Sequence, residues 1–453
     1  MNKKRLLFTL LAVFCWLMLS PTAWGQLDYA SAYSGAGSYD LHPIIRTVNS
    51  TSVLVCYQKG IHCEIALIDQ TGSMKIAKLK DGYFVRDMRI TGENVYFCGT
   101  VQGHAFLGHL KHTGYTPSAW QVKYFNLAPN YTSELSRMVA YDIGGQQKVV
   151  AVGFYHFDNT GSFPCPSYPG QNCIKTFVVE VNFNGDTPVG SPNLVYSNDL
   201  NHFEIITEVI ETESHVAIVG YITDHYNTVL NSTVIHCCGK SNVAFDFQTI
   251  PYHYYHTPDE GHSDFHGCWM KGDTIAISSL STYNTSVGQQ FSTNVRVFDL
   301  TTMANIQSQL VPLNTKSEPY DLMYMQGEGR LVLLQDIYHP IAASVQNTFV
   351  HLKPYFPAAY SANCWYRTYS QDWYRSLSRL SSDRYFAAGG EFWCMKDLYS
   401  FNPRCINRVD ISVEEIDKVS PNTFLYVYYA PPLPLTVDAS SSCDITSIIP
   451  LCY

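Results

Sequence analysis

The sequence lacks the short motifs that mark the common catalytic classes. It has no Gly-x-Ser-x-Gly elbow, no His-Glu-x-x-His pair and no glycine-rich phosphate-binding loop. It is also poor in charge, because charged residues make up only 15% of the chain and its net charge is −9. Proteins that bind nucleic acid concentrate positive charge on one surface, and no basic cluster follows the N-terminal segment. No nucleic-acid partner is therefore predicted.

Long hydrophobic runs are absent after the N-terminus, where no apolar stretch approaches the ~20 residues that a membrane-spanning helix needs. The N-terminus itself has a basic segment at 2–5, an apolar segment at 6–19 and a small-x-small site, Ala23-Trp24-Gly25. Secretory signals combine these three features, so residues 1–25 are predicted to be a signal peptide. The mature chain, starting at Gln26, is expected to be secreted, periplasmic or on the cell surface, with no transmembrane segment.

A repeated strand is the main feature that the sequence does contain. Seven short apolar segments, each preceded by a tight polar turn, end in Gly or another small or polar residue. Their last residues lie 41 to 67 residues apart, whereas one four-stranded propeller blade needs about 40–50 residues. The pattern predicts an all-β fold, a seven-bladed β-propeller of four-stranded antiparallel blades. The segments end at Gln58, Gly99, Gly153, Gly220, Ser279, Gln335 and Gly389.

The same repeat sets the expected domain boundaries. One blade cannot bury both of its faces alone, so the repeats are expected to pack as a single unit over 26–432. Prolines at 431, 432 and 434 end the strand pattern, and 433–453 is predicted to be a short C-terminal appendage. The segment 423–429 has two interpretations, as the outer strand of the seventh blade or as a strand that closes the first blade.

The connections within the predicted blades are of two kinds. Those from first to second strand and from third to fourth strand are short, whereas the other two classes are long. Because successive strands alternate in direction, the long connections all emerge on one face. Binding residues are expected there, since variable loops on a rigid scaffold commonly carry function. The long connections are 154–175, 222–232, 280–293, 337–346 and 391–404 after second strands, and 126–134, 251–265 and 354–375 before first strands.

Cysteine usage suits an oxidising compartment, since 13 of the 14 cysteines follow the predicted signal peptide. Four pairs close short loops and are predicted to be disulfides, each worth about 2–3 kcal/mol if chain entropy dominates. They are Cys56–Cys63, Cys165–Cys173, Cys394–Cys405 and Cys443–Cys452. Five cysteines have no assigned partner, and these are Cys98, Cys237, Cys238, Cys268 and Cys364.

Aromatic residues and histidines recur in the long connections, often beside a carboxylate. Aromatic rings with neighbouring acids suit the faces and hydroxyls of sugars, and Tyr and Trp also dominate protein interfaces. The alternative is that these rings pack one loop against another. The candidate ligand-binding residues are Tyr155, His156, His225, Tyr226, Tyr338, His339, Trp365, Trp373 and Trp393.

Metal binding and catalysis have weaker candidates. If 262–266 is extended, His262, Asp264 and His266 share one face and suit zinc or another divalent transition ion, although polar surface is the simpler interpretation. No other cofactor is predicted. A glycosidase needs two carboxylates roughly 5–10 Å apart in one cleft. The candidate catalytic acids, which come from different blades, are Asp158, Asp224, Asp336 and Glu391.

The strand repeat over about residues 40–430 resembles secreted β-propellers, and the Tyr- and Asn-rich style with a Gln-starting mature end resembles exported proteins of bacterial, Bacteroidetes-like type. The blades lack Trp-Asp endings, the kelch double glycine and the sialidase Asp-box, so no functional family is matched. We expect a binding module that presents its aromatic, disulfide-stapled loop face to a glycan or protein ligand. A carbohydrate-active hydrolase or lyase on the same face and a structural or assembly protein of the cell envelope are the alternatives.

Overall fold

The computed structural model describes residues 43–59, 61–69, 74–79, 81–112, 123–126, 132–157, 173–184, 187–196, 202–224, 232–241, 252–255, 260–285, 288–311, 316–339, 344–355, 360–367, 374–379, 385–389, 392–395, 407–415, 422–424, 438–439 and 450–451. The regular secondary structure in these ranges consists of β-strands. Within them, no helix is long and apolar enough to cross a lipid bilayer.

The strands are numbered in chain order. The first eight are β1 (Ile44–Asn49), β2 (Ser52–Lys59), β3 (His62–Asp69), β4 (Met74–Lys78), β5 (Tyr83–Thr91), β6 (Asn94–Val101), β7 (His104–Lys111) and β8 (Lys123–Asn126). The next twelve are β9 (Thr132–Ile143), β10 (Gln146–Phe157), β11 (Cys173–Asn184), β12 (Thr187–Tyr196), β13 (His202–Glu211), β14 (His215–Asp224), β15 (Ser232–Gly239), β16 (Tyr252–Tyr255), β17 (Glu260–Lys271), β18 (Thr274–Thr285), β19 (Gly288–Asp299) and β20 (Ala304–Val311). The last eleven are β21 (Ser317–Met325), β22 (Arg330–His339), β23 (Ser344–Leu352), β24 (Tyr360–Arg367), β25 (Tyr374–Arg379), β26 (Tyr385–Gly389), β27 (Phe392–Met395), β28 (Asn407–Glu415), β29 (Asn422–Phe424), β30 (Asp438–Ala439) and β31 (Pro450–Leu451).

Strands that follow one another in the sequence pair antiparallel and form successive sheets. We number these sheets 1 to 7: β1–β4, β5–β8, β9–β12, β13–β16, β17–β20, β21–β24 and β25–β27. The repeated segments that end at Gly99, Gly153 and Gly220 lie on the second strands β6, β10 and β14. The tight turns and apolar runs therefore identify the hairpins correctly.

The first strands of the sheets form a closed ring. β1, β5, β9, β13, β17, β21 and β25 contact one another in that order, and β25 returns to contact β1. The hydroxyls of Thr47 on β1 and Ser378 on β25 lie 2.7 Å apart, and the Thr47 hydroxyl also donates to the carbonyl of Arg379. Sheets radiating from a central ring of first strands are the arrangement of a β-propeller.

The hydrophobic core lies in layers between successive sheets. Along β6, Val95 and Phe97 face sheet 1, whereas Tyr96 and Cys98 face sheet 3. A strand buried on both faces has no polar side, and this explains why the second strands are continuous apolar runs. Four further layers of the same kind fill the spaces from sheet 3 to sheet 7.

The C-terminal strands pair with the outer strands of earlier sheets. β28 lies between β20 and β24 and joins sheets 5 and 6 into one nine-stranded sheet, and β29 pairs with β16 of sheet 4. Neither interpretation of 423–429 therefore describes Asn422–Phe424, because this strand extends sheet 4 and not sheet 7 or sheet 1. From the predicted appendage, β30 pairs with β8 and β31 with β4.

Some predicted long connections are shorter than expected because strands extend into them. β18 and β19 continue to a Thr285–Gly288 pair, so 280–293 is mostly a hairpin. Trp365 lies on β24 and Trp393 on β27, whereas both were predicted to lie in loops. Thr, Tyr, Phe and Trp favour strands even where the neighbouring residues are polar, and the polar composition of these segments concealed that preference.

Candidate functional site: a charged cavity inside the ring

A cavity of about 330 Å³ lies inside the ring, and all seven first strands contribute to its wall. Its volume is at the lower end of the range for small-molecule sites, about 300–1,000 Å³. Charged side chains dominate the wall. They are Arg46, Arg86, Asp87, Glu134, Arg137, Glu208, Asp321 and Arg375, accompanied by His266, Tyr320, Ser136, Ser376, Pro43, Ile44 and Val85.

The cavity lies at the end of the ring where the first strands begin. Tyr83 at the start of β5 pairs with Val101 at the end of β6, so first strands begin at the same end as second strands finish. The predicted loop-bearing face is this same end. The side chain of Arg86 is 44% exposed and pairs with Glu134 at 3.2 Å, which places this ion pair at the solvent-facing rim.

The cavity residues sit on β-bulges that recur at one height in the first strands. In sheets 2 to 7 the first strand has one residue more than the second strand at this point, and in sheet 5 Asp264 and Phe265 together lie opposite Ser279. A bulge reorients the side chains beside it, so polar residues can be turned toward the axis of an otherwise buried strand. The residue that follows each bulge lines the cavity, and these residues are Asp87, Arg137, Glu208, His266, Asp321 and Ser376.

The same bulges explain the glycines that end the sequence repeat. Gly99, Gly153 and Gly220 lie opposite the residues that precede the bulges in β5, β9 and β13. A Cβ atom on any of them would overlap the carbonyl oxygen of the neighbouring first strand, at Phe84, Glu134 or Ile205. Glycine is therefore required by close backbone approach, because a side chain has no room there.

Three carboxylates that follow bulges link neighbouring first strands. Asp87 accepts hydrogen bonds from the N–H of Met88, at 2.7 Å, and from that of Met138 on the next first strand, at 2.9 Å. Asp321 does the same with Leu322, at 2.8 Å, and Leu377, at 2.6 Å. Glu208 accepts from Val209 at 3.0 Å and from the backbone of Gly267. The carboxylates thus accept hydrogen bonds from backbone N–H groups beside the bulges and on the next first strand.

Burial shifts the titration of these acids. Removal from water raises the pKa of Asp87 to about 6 and that of Asp321 to about 6, even though backbone hydrogen bonds favour both charged forms. Burial also raises the pKa of Glu208. Perturbed acids are often catalytic, but structural linkage accounts for the burial of these three, so the shifts alone do not identify a catalytic site.

Arginines are distributed unevenly among these acids. Asp87 pairs with Arg46, and its Oδ1 lies 2.9 Å from Arg89 Nη1. Arg375 stacks on the Tyr320 ring, with its guanidinium carbon 3.7 Å from the ring centroid, and lies 3.4 Å from Asp336. Arg137 Nε lies 3.7 Å from Glu208 Oε2, which is an ion pair but too long for a direct hydrogen bond.

Of the predicted catalytic acids, Asp336 has a described side chain, and it is buried behind the cavity wall. It accepts hydrogen bonds from Tyr320 at 2.9 Å and Asn347 at 2.8 Å. Burial raises its pKa, and the partners Asn347 and Arg375 oppose that shift. These contacts hold Tyr320 and Arg375 in place, and a catalytic role for Asp336 stays a prediction. Asp158 and Glu391 lie outside the described residues, as does the side chain of Asp224 at the end of β14.

Tyr338 is the predicted ligand-binding residue whose surroundings are described. It lies near the end of β22, at the loop-bearing end, and is partly exposed. Lys316 Nζ sits 4.4 Å from its ring centroid, and its hydroxyl donates to Glu318 at 3.3 Å. Tyr155, His156, His339, Trp365 and Trp393 lie on strands, but their side chains are outside the described part, and His225, Tyr226 and Trp373 lie outside it entirely.

The three predicted metal ligands are not brought together. A bulge separates the pairs Ser263–Leu280 and His266–Ser278, and Asp264 within it adopts a left-handed φ of 50°. The extended backbone that the prediction required is therefore interrupted. His262 is buried, with Nδ1 3.1 Å from the Ser281 hydroxyl, while Asp264 is exposed and His266 faces the cavity. Among the described residues, no group of three or more His, Cys, Asp or Glu side chains could hold a metal ion.

One predicted disulfide pair has both side chains described. Cys56 and Cys63 lie on the paired strands β2 and β3, and their sulfur atoms are 3.2 Å apart, which is longer than a covalent bond of about 2.05 Å. The pairing stays a prediction. The side chains of Cys173 and Cys394 are outside the described part, and Cys165, Cys405, Cys443 and Cys452 lie outside the described residues.

Comparisons with known proteins add little to this description. No family model matches the chain, and no curated protein sequence matches it. Among solved structures, the chain is similar to the WD40 domain of SCAP from fission yeast, with a TM-score of 0.32 and 8% identity, over 74% of this chain and 89% of that one. At this TM-score the likeness does not define the fold, whereas the closed ring of first strands is the arrangement of a β-propeller.

Proposed function

We propose that this chain is a secreted, seven-bladed β-propeller that acts as a binding module, holding a glycan or protein ligand over the loop-bearing end of the ring. One observation carries the proposal. The charged cavity, the ends of the second strands and the starts of the first strands all lie at one end of the molecule. A ligand resting on the loops there would meet the cavity at its centre.

The ring of first strands supports the blade count in this proposal. Seven first strands contact one another in a closed circuit, and six of the seven are followed by three further consecutive strands. Within the described residues the seventh sheet has three strands. Seven blades of four strands are the simplest architecture that accommodates these sheets, and a predicted signal peptide over 1–25 would export the chain.

Tyr338 provides a test of where the ligand binds. The mature protein is first screened against a panel of soluble polysaccharides and a peptide library, with binding measured by thermal shift. Tyr338→Ala is then compared with wild type for any ligand that binds. We expect about tenfold weaker affinity, because aromatic residues at interface centres commonly contribute this much, with little change in melting temperature.

Tyr355→Ala is the matched control. Tyr355 is 55% exposed and follows β23, where the third strand ends, so it lies at the opposite end of the molecule. Its loss is expected to leave affinity unchanged. Equal affinities for wild type and both variants would contradict a site at the loop-bearing end.

A further inference from the structure

Arg137 presents unused hydrogen-bonding capacity to the cavity. A guanidinium has five N–H groups, and within the described residues Arg137 donates Nη1–H to the carbonyl of Ser136 at 2.9 Å. Among the described residues its ion pair is with Glu208, where Arg137 Nε lies 3.7 Å from Glu208 Oε2, and the Arg137 side chain is 30% exposed. The guanidinium thus offers a fork of donors that matches a carboxylate.

Asp321 offers the opposite charge. Both of its oxygens accept a backbone N–H, but no ion pair to Asp321 occurs among the described residues. Each carboxylate oxygen has two lone pairs, so one acceptor position remains on each. Arg46 and Arg137 act on Asp321 through their charges, but neither contacts it directly. A ligand ammonium in direct contact would offset the cost of removing this carboxylate from water.

These two groups face each other across the ring. Arg137 follows the bulge of β9 and Asp321 follows that of β21, and β9 and β21 are three positions apart in a ring of seven, which is the largest possible separation. The wall carries four arginines and four carboxylates, so it offers no net charge to attract a simple ion. Glu208 beside Arg137 disfavours a pure anion, and Arg375 beside Tyr320 disfavours a pure cation.

We propose that the cavity binds a small zwitterion of the amino-acid type, whose carboxylate contacts Arg137 and whose ammonium contacts Asp321. Ile44, Val85 and Pro43 supply an apolar portion of the wall for a short hydrocarbon group. The volume of about 330 Å³ admits one molecule of this size. The first strands ring the site, and small probes are titrated into it without the ligand proposed for the loops, so either proposal can fail without the other.

Calorimetric titration of the wild-type protein at pH 7 tests the pairing of charges. The zwitterionic probes are glycine, L-alanine, β-alanine and γ-aminobutyrate, which differ in the separation of their charges. Acetate and ethylammonium each carry one of the two charges. We expect at least one zwitterion to bind ten or more times more tightly than either single-charge probe, because two charged contacts replace one. Equal binding of acetate or ethylammonium, or no binding of any zwitterion, would overturn the proposal.

Two variants then test the orientation of the bound zwitterion. Arg137→Gln is expected to weaken binding of the zwitterion and of acetate, whereas Asp321→Asn is expected to weaken binding of the zwitterion and of ethylammonium but not of acetate. Glu328→Gln, which alters an ion pair with Arg330 in the β21–β22 turn, is the control and should change neither. If Asp321→Asn does not fold, the Arg137→Gln result and the preference for zwitterionic probes still test whether the cavity binds a zwitterion through Arg137. Unchanged zwitterion affinity in Arg137→Gln contradicts the site.

Discussion

At the scale of single residues, the carboxyl of Asp321 makes stability depend on pH. Burial raises its folded-state pKa to about 6, whereas an unfolded Asp titrates near 4. Between these values the folded chain holds more protons, so the free energy of unfolding decreases as pH rises from about 4 to about 6. In Asp321→Asn this decrease should be smaller, by roughly 2 kcal/mol, since a two-unit pKa difference sets an upper limit near 3 kcal/mol. Urea unfolding at pH 4, 5, 6 and 7 measures the slope.

Asp273 is the control with the opposite sign. Burial alone would raise the pKa of Asp273, but hydrogen bonds from Thr212, His215 and Ser214 lower it to about 2. Ionised Asp273 therefore adds to the free energy of unfolding above pH 4, and this contribution is lost as pH falls toward 2. Asp273→Asn should therefore alter unfolding only on that acid limb. An Asp321→Asn variant with the wild-type slope between pH 4 and 6 would argue against the raised pKa of Asp321 in the folded chain.

At the scale of strands, the glycines opposite the bulges are expected to tolerate no side chain. In Gly153→Ala the new Cβ would overlap the carbonyl oxygen of Glu134 and press on Leu135, so one of two paired strands must move. We expect a loss of about 3 kcal/mol or more, as for other overpacked buried sites. Chemical denaturation of both proteins measures the difference.

Gly145→Ala separates this clash from backbone strain. Gly145 has a φ of 83° but nothing within 4 Å of the position that a Cβ would occupy. The left-handed conformation alone costs about 1–2 kcal/mol. If Gly153→Ala costs no more than Gly145→Ala, the close approach of the bulged strand is not what requires glycine.

These glycines also show how far the sequence could predict the site. The second strands were recognisable because both of their faces are buried, and Gly99, Gly153 and Gly220 marked the positions opposite the bulges. The first strands were not recognisable as cavity-forming, because each bulge breaks the alternation of polar and apolar residues. Each of the three linking acids is preceded by a polar residue and followed by an apolar one. The triplets are Arg86-Asp87-Met88, Thr207-Glu208-Val209 and Tyr320-Asp321-Leu322. That triplet, at one height in three first strands, was the available signal.

The histidine cluster was misinterpreted for the same reason. Period-two reasoning placed His262, Asp264 and His266 on one face, but the bulge at Asp264 and Phe265 interrupts the alternation between His262, which is buried, and His266, which faces the cavity. A bulge is set by the pairing of two strands that are brought together by the fold, so one strand's sequence does not reveal it.

At the scale of the whole molecule, closure of the ring is expected to stabilise every sheet, because each gains a neighbour on both sides. The contact between β1 and β25 closes it, and the Thr47 hydroxyl bonds there to Ser378 and to the carbonyl of Arg379. Thr47→Val keeps the side-chain volume but leaves these partners without their hydrogen bonds. We expect the free energy of unfolding to fall by about 1–2 kcal/mol, in a transition that remains single because the sheets unfold together.

Coincident urea transitions by far-UV circular dichroism and by tryptophan fluorescence measure both parts of this expectation. Thr51→Val is the control, since the Thr51 hydroxyl lies in the exposed β1–β2 turn and bonds only locally, to Asn49 at 2.8 Å. Its effect should stay within about 0.5 kcal/mol. Two separated transitions in Thr47→Val would mean that some sheets remain folded after the contact between β1 and β25 is lost. The molecule would then not unfold as one cooperative unit.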